Sequence, residues 1–178
     1  MYRLIAKLAG SVLLLTLLAG CQSINSQTSG SNLISNSHFA ASELVRKAGV
    51  ALPPGASVIA TSFVSIDSLE SSSTLGRIVG EQVATGLADA GYRVIELKMR
   101  DRIFINAGAG EFMLSRELRH ISNFHEAQAV AVGTYAVGTE YLYINTRLID
   151  AGTNLVIASM DYRLPMNRDV RQLLRNSF

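Results

Sequence analysis

Cysteine, histidine and tryptophan are scarce in this 178-residue chain, which has one cysteine, three histidines and no tryptophan. A single thiol cannot form an intramolecular disulfide, so a packed core has to stabilise the fold. The histidines are His38, His120 and His125, and the last two would lie about 140° apart around a helix, which is a poor arrangement for sharing a metal ion. We therefore predict no metal site and no cofactor.

Motifs that position catalytic groups are missing as well. The chain has no GxSxG sequence, and the glycines of residues 107–110 (AGAG) are not followed by the Lys-Ser/Thr pair of a phosphate-binding loop. Its acidic residues are scattered singly, without a pair spaced as a general acid and base. Gly76 and Gly80, four residues apart, would let a helix approach a sheet closely but carry no chemistry. We predict that the protein is not an enzyme.

Charge of one sign is also lacking. The formal net charge of +2 comes from 16 basic and 14 acidic residues. Arg3 and Lys7 account for the whole excess, so the chain after residue 20 is predicted to be neutral. No cluster of Lys and Arg is left to neutralise phosphates, which excludes nucleic acid as an expected partner.

The one long apolar run lies at the start of the chain. Residues 8–18 (LAGSVLLLTLL) contain no charge and follow Arg3 and Lys7. Such a run is too short to cross a bilayer, which takes roughly 20 apolar residues, but it is typical of a secretory signal peptide. Leu18-Ala19-Gly20-Cys21 then resembles a bacterial lipobox, and an ordinary signal peptide with a chance cysteine is the alternative. We predict cleavage after residue 20 and attachment of acyl chains, such as palmitate, to Cys21.

The residues after Cys21 predict where the protein goes. Gln22 follows the cysteine, whereas Asp at that position is typical of lipoproteins retained in the inner membrane, so we expect an outer-membrane anchor with the domain facing the periplasm. Residues 21–38 are rich in Ser, Asn and Gln and carry no Asp, Glu, Lys or Arg. This composition favours a flexible tether, although a loop packed on the domain is the alternative, and a single domain is predicted over residues 39–178.

The domain predicts an α+β fold. A short helix is expected at 40–48, a strand covered on both faces at 57–66, and a long helix from the serines at 71–73 to about Ala90. The buried stripe of that helix consists of Leu75, Ile78, Val79, Val83 and Leu87. A strand at 92–97, an extended segment at 99–106 and a helix at 111–127 follow. We predict a mixed β-sheet with helices mostly on one face.

The last third predicts a C-terminal antiparallel meander with strands at 130–137, 141–149 and 155–163, followed by a helix at 166–176. Residues alternate between apolar and polar along the second strand, which indicates one buried and one exposed face. Four tyrosines gather in the meander, namely Tyr135, Tyr141, Tyr143 and Tyr162. They are interpreted either as strand-filling residues or as an interaction surface.

Two segments resemble a known family. One runs from His125 to Arg163 and contains Gly-Thr-Tyr at 133–135 and Asn-Thr-Arg-Leu-Ile-Asp at 145–150. The other is SSTLGRIVGEQVATGLADAGYRVIELK at 72–98. Together with the lipobox, residues 57–164 resemble the FlgO family of flagellar outer-membrane proteins.

The resemblance implies a noncatalytic protein at the base of a flagellum, which supports motility by stabilising the assembly. Its expected partners are membrane lipid through acylated Cys21, flagellar basal-body or ring proteins, and other copies of itself in a homo-oligomer. Two other roles stay open. One is a lipoprotein activator of a peptidoglycan synthase, and the other is a curli-type secretion subunit.

Overall fold

The computed structural model describes residues 33–97, 105–106, 113–114 and 116–175. In this part of the chain the helices are α1 (Leu33–Ala48), α2 (Thr74–Asp89), α3 (Arg116–Phe124) and α4 (Arg168–Arg175), with a 3₁₀ turn at Gly49–Ala51. The strands are β1 (Ser57–Ala60), β2 (Val64–Ser65), β3 (Ser68–Ser72), β4 (Arg93–Glu96), β5 (Ile105–Asn106), β6 (Met113–Leu114), β7 (Ala129–Val137), β8 (Tyr141–Asp150) and β9 (Val156–Pro165).

Seven strands form one mixed sheet around β7. One edge of β7 pairs in parallel with β1 and then with β2, and its other edge pairs with antiparallel β8. Strand β4 extends the sheet in parallel beside β1, β3 pairs antiparallel with β2, and β9 pairs antiparallel with β8. The short strands β5 and β6 pair with each other. The predicted α+β class and the antiparallel C-terminal meander are confirmed.

The two faces of the sheet are covered differently. Helices α1, α2 and α4 contribute to the larger apolar core on one face, which we call the helix-covered face. On the other side, which we call the open face, Ile121 of α3 packs on a smaller cluster around Ile59, Val130 and Ile149. The open face of β8 and β9 carries polar residues instead. Helices therefore lie mostly on one face, as predicted.

Helix α1 begins earlier than the sequence predicts. It starts at Leu33, so residues 33–38 are its first turns and do not belong to the predicted tether. Ser37 is fully buried, and its Oγ donates a hydrogen bond to the Leu33 carbonyl oxygen (2.9 Å) and lies 3.3 Å from Tyr162 Oη. A contact 125 residues away in sequence thus stabilises a segment whose composition indicated a tether. Residues 21–32 lie outside the described residues.

Helix α2 agrees closely with the prediction. Ser73 caps it by accepting a hydrogen bond from the Gly76 N–H (3.1 Å), and Leu75, Val79, Val83 and Leu87 are buried. Ile78, predicted to share this stripe, is only half-buried.

The strand predicted at 57–66 is interrupted. It splits into β1 and β2 because the chain turns towards α2 at Phe63, whose N–H donates to the Gly76 carbonyl oxygen (2.9 Å).

Helix α3 is shorter than predicted. Residues 113–114, expected to be helical, are in β6, and α3 covers only 116–124. Its C-terminal end is a Schellman motif, since the Ala127 N–H donates to the Ser122 carbonyl oxygen and the Glu126 N–H to that of Asn123. Glu126 adopts the left-handed conformation (φ 52°) that glycine usually supplies at this position. The predicted AGAG turn at 107–110 and residues 99–104 lie outside the described residues.

Helix α4 begins two residues after the predicted start, and Asn167 Oδ1 caps it by accepting from the Val170 N–H (2.9 Å). Within the described ranges, none of the helices is both long and apolar enough to cross a membrane.

Candidate functional site: a polar groove on the open face

The residues predicted to interact with partners are separated by the structure. Cys21 lies outside the described residues. Tyr135 is 4% exposed and, with the largely buried Tyr162, contacts the core of the helix-covered face. Tyr141 and Tyr143 lie on the open face, where Tyr143 is 48% exposed. The interaction hypothesis therefore applies to two of the four tyrosines.

A shallow groove of about 300 Å³ lies between the open-face side chains of β8 and β9. Tyr143, Asn145, Asp161 and Arg163 line it with their open-face side chains, and the neighbouring Ile144 and Tyr162, whose side chains contact the core of the helix-covered face, complete the lining. The register of the two strands produces this arrangement, because Tyr143 is directly opposite Arg163 and Asn145 is directly opposite Asp161. Directly paired residues of antiparallel strands hold their side chains about 5 Å apart. We call the four open-face residues, Tyr143, Asn145, Asp161 and Arg163, the polar groove.

Two contacts hold side chains of the polar groove in place. The Arg163 guanidinium lies over the Tyr141 ring, with Cζ 4.2 Å from the ring centre, which is a cation–π geometry. The Asn145 side-chain amide donates to Thr134 Oγ1 of β7 at 3.5 Å. The groove thus presents a carboxylate, an amide, a guanidinium and an aromatic ring. Such groups can hydrogen-bond and stack against a protein surface.

Asp150, the last residue of the family-like Asn145–Asp150 segment, has a structural role. Its Oδ1 accepts hydrogen bonds from the N–H groups of Thr153 (2.7 Å) and Gly152 (3.0 Å) and from Thr153 Oγ1 (2.8 Å). The bond from the Thr153 backbone is the main reason that the pKa of this carboxyl lies below its usual value. Asp150 therefore fixes the turn between β8 and β9 and does not contribute to the polar groove.

The Gly-Thr-Tyr segment of β7 is also mainly structural. A Cβ at Gly133 would lie 2.1 Å from Cε2 of the buried Phe63 ring, so only glycine leaves room for that ring. A Cβ at Gly76 of α2 would lie 2.1 Å from the Phe63 carbonyl oxygen, and one at Gly80 would lie 2.5 Å from that of Thr61. The close approach of helix and sheet predicted for Gly76 and Gly80 is confirmed.

Tyr162 links α1 to the sheet from the helix-covered face. Burial raises the pKa of its phenol to about 12, and the hydrogen bond with Ser37 opposes this rise. The neutral phenol is therefore the form that the folded protein favours.

The histidines lie apart in the structure. His38 is half-buried on α1, whereas His120 and His125 are exposed. The His125 ring packs edge-on against Phe124, with 5.0 Å between ring centres. Among the described residues, no three His, Cys, Asp or Glu side chains come close enough to hold a metal ion.

The polar groove was not identified from the sequence. Alternation along β8 predicted one buried and one exposed face, and Asn145 lies on the less buried of the two. The pairing of Asn145 with Asp161 and of Tyr143 with Arg163 depends on the register of β8 and β9. The bulge between Leu148 and Ile149 shifts that register and is not apparent from alternation alone.

Comparisons with known proteins place the chain among related folds. The FlgO protein family model matches residues 38–169. The LpoB C-terminal domain from Salmonella enterica is similar in structure, with a TM-score of 0.52 and 13% identity over 75% of this chain and 98% of that chain. The LpoB C-terminal domain from Escherichia coli gives a TM-score of 0.49 and 12% identity over 72% and 98%. Lipoprotein GNA1162 from Neisseria meningitidis gives a TM-score of 0.42 and 16% identity over 65% of this chain and 84% of that chain. No curated protein sequence is significantly similar to the chain.

Proposed function

The chain belongs to the FlgO family, and on this premise we propose that it is a noncatalytic outer-membrane lipoprotein that supports assembly or stability of the flagellar base. The family match, which covers residues 38–169, is the observation that carries this proposal. It includes both the helix-covered core and the polar groove. A role in the assembly would be exerted through contacts with other envelope proteins.

The lipid anchor is the first part of the proposal. Cys21 is the one cysteine of the chain and ends a lipobox-like sequence. Two or more acyl chains on it would hold the domain at the membrane, since one chain alone anchors only marginally. Metabolic labelling with a palmitate analogue tests this step. We expect label on the wild type and none on Cys21→Ser, and label retained by the Ser variant would contradict the anchor.

The polar groove is the proposed contact surface for the flagellar partner. Its side chains combine hydrogen-bonding and aromatic groups outside the larger core, so changing them should affect binding more than folding. Asp161 is exposed on β9, and Asp161→Arg replaces a carboxylate in the middle of the groove by a guanidinium. We expect this variant to be folded and anchored but to restore motility poorly.

A matched control keeps that experiment interpretable. Asp89→Arg makes the same charge reversal at the exposed end of α2, away from the groove. It should restore swimming like the wild type when both variants are expressed at equal levels in a deletion strain. Equal swimming by Asp161→Arg and Asp89→Arg would exclude the groove as the contact surface.

The function itself is tested with a clean deletion. Loss of the protein should reduce swimming in soft agar, and electron microscopy should show basal bodies that are incomplete or detached from the outer membrane. Complementation with the wild-type chain should reverse both defects. Full motility with intact basal bodies in the deletion strain would refute the flagellar role.

A second candidate is a lipoprotein activator of a peptidoglycan synthase. The fold shared with the Salmonella enterica LpoB C-terminal domain is the observation that favours it. Incorporation of a labelled D-amino acid into the cell wall distinguishes the two roles. A deletion that lowers incorporation and leaves swimming intact would favour the activator, and the reverse result would favour the flagellar role.

A further inference from the structure

The first half of α1 combines exposed apolar side chains with an absence of charge. Ile34 is 55% exposed and Phe39 is 54% exposed, whereas Ala40, Ala41 and Leu44 pack in the core. Residues 33–42 (LISNSHFAAS) contain no Asp, Glu, Lys or Arg. Covering this part of the helix would therefore remove no side chain of those four types from water.

Helix α1 runs antiparallel to β9, which defines the end of the domain where it starts. Ser37 lies beside Tyr162, whereas Lys47 Nζ, ten residues further along α1, donates to the carbonyl oxygen of Ser159 (2.6 Å). The start of α1 thus lies towards the C-terminal end of β9, near the turn between β7 and β8.

Two further apolar residues are exposed at the same end of the sheet. Val137, which ends β7, is 53% exposed, and Ile66, whose N–H donates to the Tyr135 carbonyl oxygen (2.9 Å), is 46% exposed. We call Ile34, Phe39, Ile66 and Val137 the near end of the domain.

The chain itself brings the near end close to the proposed lipid anchor. Cys21 precedes Leu33, the first residue of α1, by twelve residues. Even when fully extended, such a segment spans at most about 40 Å. An acylated Cys21 would therefore keep the start of α1 within about 40 Å of the membrane surface.

We propose that the near end of the domain rests against the lipid surface that holds Cys21, with Ile34 and Phe39 in the headgroup layer. The inference rests on the lipid anchor of the proposed function and adds a fixed orientation to it. Ile34 and Phe39 lie about 140° apart around α1, so the helix would meet the headgroup layer with its N-terminal end and not along one side. In this orientation the sheet is roughly perpendicular to the membrane plane, so its open face stays accessible to a protein partner.

Single-tryptophan variants test the proposal directly, because the chain has no tryptophan of its own. Phe39→Trp places the probe at the near end. Phe124→Trp is the matched control, since Phe124 is an exposed aromatic residue (79%) on α3, on the other face of the sheet. Each full-length, lipidated variant is reconstituted into vesicles of phosphatidylethanolamine and phosphatidylglycerol. Some vesicles also contain phosphatidylcholine that is brominated near the carbonyl end of its acyl chains.

We expect Phe39→Trp to lose most of its emission in the brominated vesicles and Phe124→Trp to keep it. Melting curves would establish that both variants are folded. If Phe39→Trp does not fold, Ile34→Trp supplies a second probe at the near end. Vesicle flotation separates this proposal from its premise. Protein that floats with the vesicles but shows no quenching at residue 39 or 34 would overturn the orientation and leave the anchor intact.

Three other results would also count against the proposal. Equal quenching of Phe39→Trp and Phe124→Trp would mean that the domain has no fixed orientation. An emission maximum that shifts with protein concentration in the absence of lipid, without quenching by bromine, would assign the near end to a second copy of the chain. Failure of the processed protein to float would remove the anchor and the orientation together.

Discussion

Alanine in place of Gly133 tests how the sheet packs against α2. In an unobstructed strand this change would be expected to stabilise the protein, because glycine weakens a strand interior and Gly133 has no positive φ. Here the added Cβ would lie 2.1–2.4 Å from three atoms of the Phe63 ring, compared with 3.4–4 Å for ordinary contact. The ring would have to move by more than about 1 Å. Gly133→Ala should therefore destabilise the protein.

The magnitude follows from the lack of space around Phe63. Its side chain is 1% exposed, and its backbone is held against α2 by the hydrogen bond to Gly76. Overpacking of a well-filled core costs about 1–3 kcal/mol, and we expect the upper half of that range. A loss of about 2–3 kcal/mol corresponds to a melting temperature lower by about 5–10 °C in a domain of this size.

A double-mutant cycle identifies the cause of this effect. Phe63→Leu removes the ring atoms that the new methyl group would contact, so Gly133→Ala should cost less in that background, with a coupling energy of about 0.5–3 kcal/mol. Urea unfolding followed by circular dichroism gives the four free energies. Gly152→Ala is the control, because the nearest heavy atom to the added Cβ would be 3.5 Å away. The stability of this variant should equal that of the wild type. A Gly133→Ala protein as stable as the wild type, or an equal cost in both backgrounds, would refute the packing argument.

Two further predictions concern Tyr162 and Leu87. Because burial raises the pKa of Tyr162 to about 12, its contribution to stability is complete below the unfolded pKa of about 10 and is lost as the pH rises towards 12. Between pH 9 and pH 12, the free energy of unfolding of the wild type, measured with urea, should therefore fall by about 2 kcal/mol more than that of Tyr162→Phe. Unfolding free energies of the two proteins that change in parallel with pH would contradict this. Leu87 is fully buried on α2, so Leu87→Ala should lower the free energy of unfolding by about 2–5 kcal/mol. The control Glu81→Ala, on the exposed side of α2, should change it by less than about 0.5 kcal/mol. Equal melting curves for the two variants would show that the buried side of α2 is assigned wrongly.

Elements specified by local signals were predicted well from the sequence. Helix α2 has a serine cap, apolar residues spaced three and four apart, and Gly91 with a positive φ (90°) after its end. The alternation along β8 places Leu142 and Ile144 in the core and Tyr143 on the open face, as predicted. In both elements each residue carries information about its own environment, so no distant contact is needed to interpret the pattern.

Elements that depend on distant contacts were predicted less well. The start of α1 was missed because Ser37, a polar residue, is buried only through its contact with Tyr162 and the sheet. The end of α3 was missed because Glu126 occupies a position where glycine is the usual signal. The interruption between β1 and β2 depends on the hydrogen bond of Phe63 to Gly76, which requires α2 to be packed against this segment.

The segments that identify the family serve two different purposes in the fold. Gly133, Tyr135 and Asp150 pack the core or fix a turn, so they account for a likeness of fold and say little about partners. Asn145 belongs to the same segments but faces the polar groove, where Asp161 of the next strand is directly opposite. Substitutions at the first group should change stability and, through it, every function together. Substitutions in the groove should separate binding from stability, and for this reason the flagellar role is better tested at Asp161 than at the family-like residues of the core.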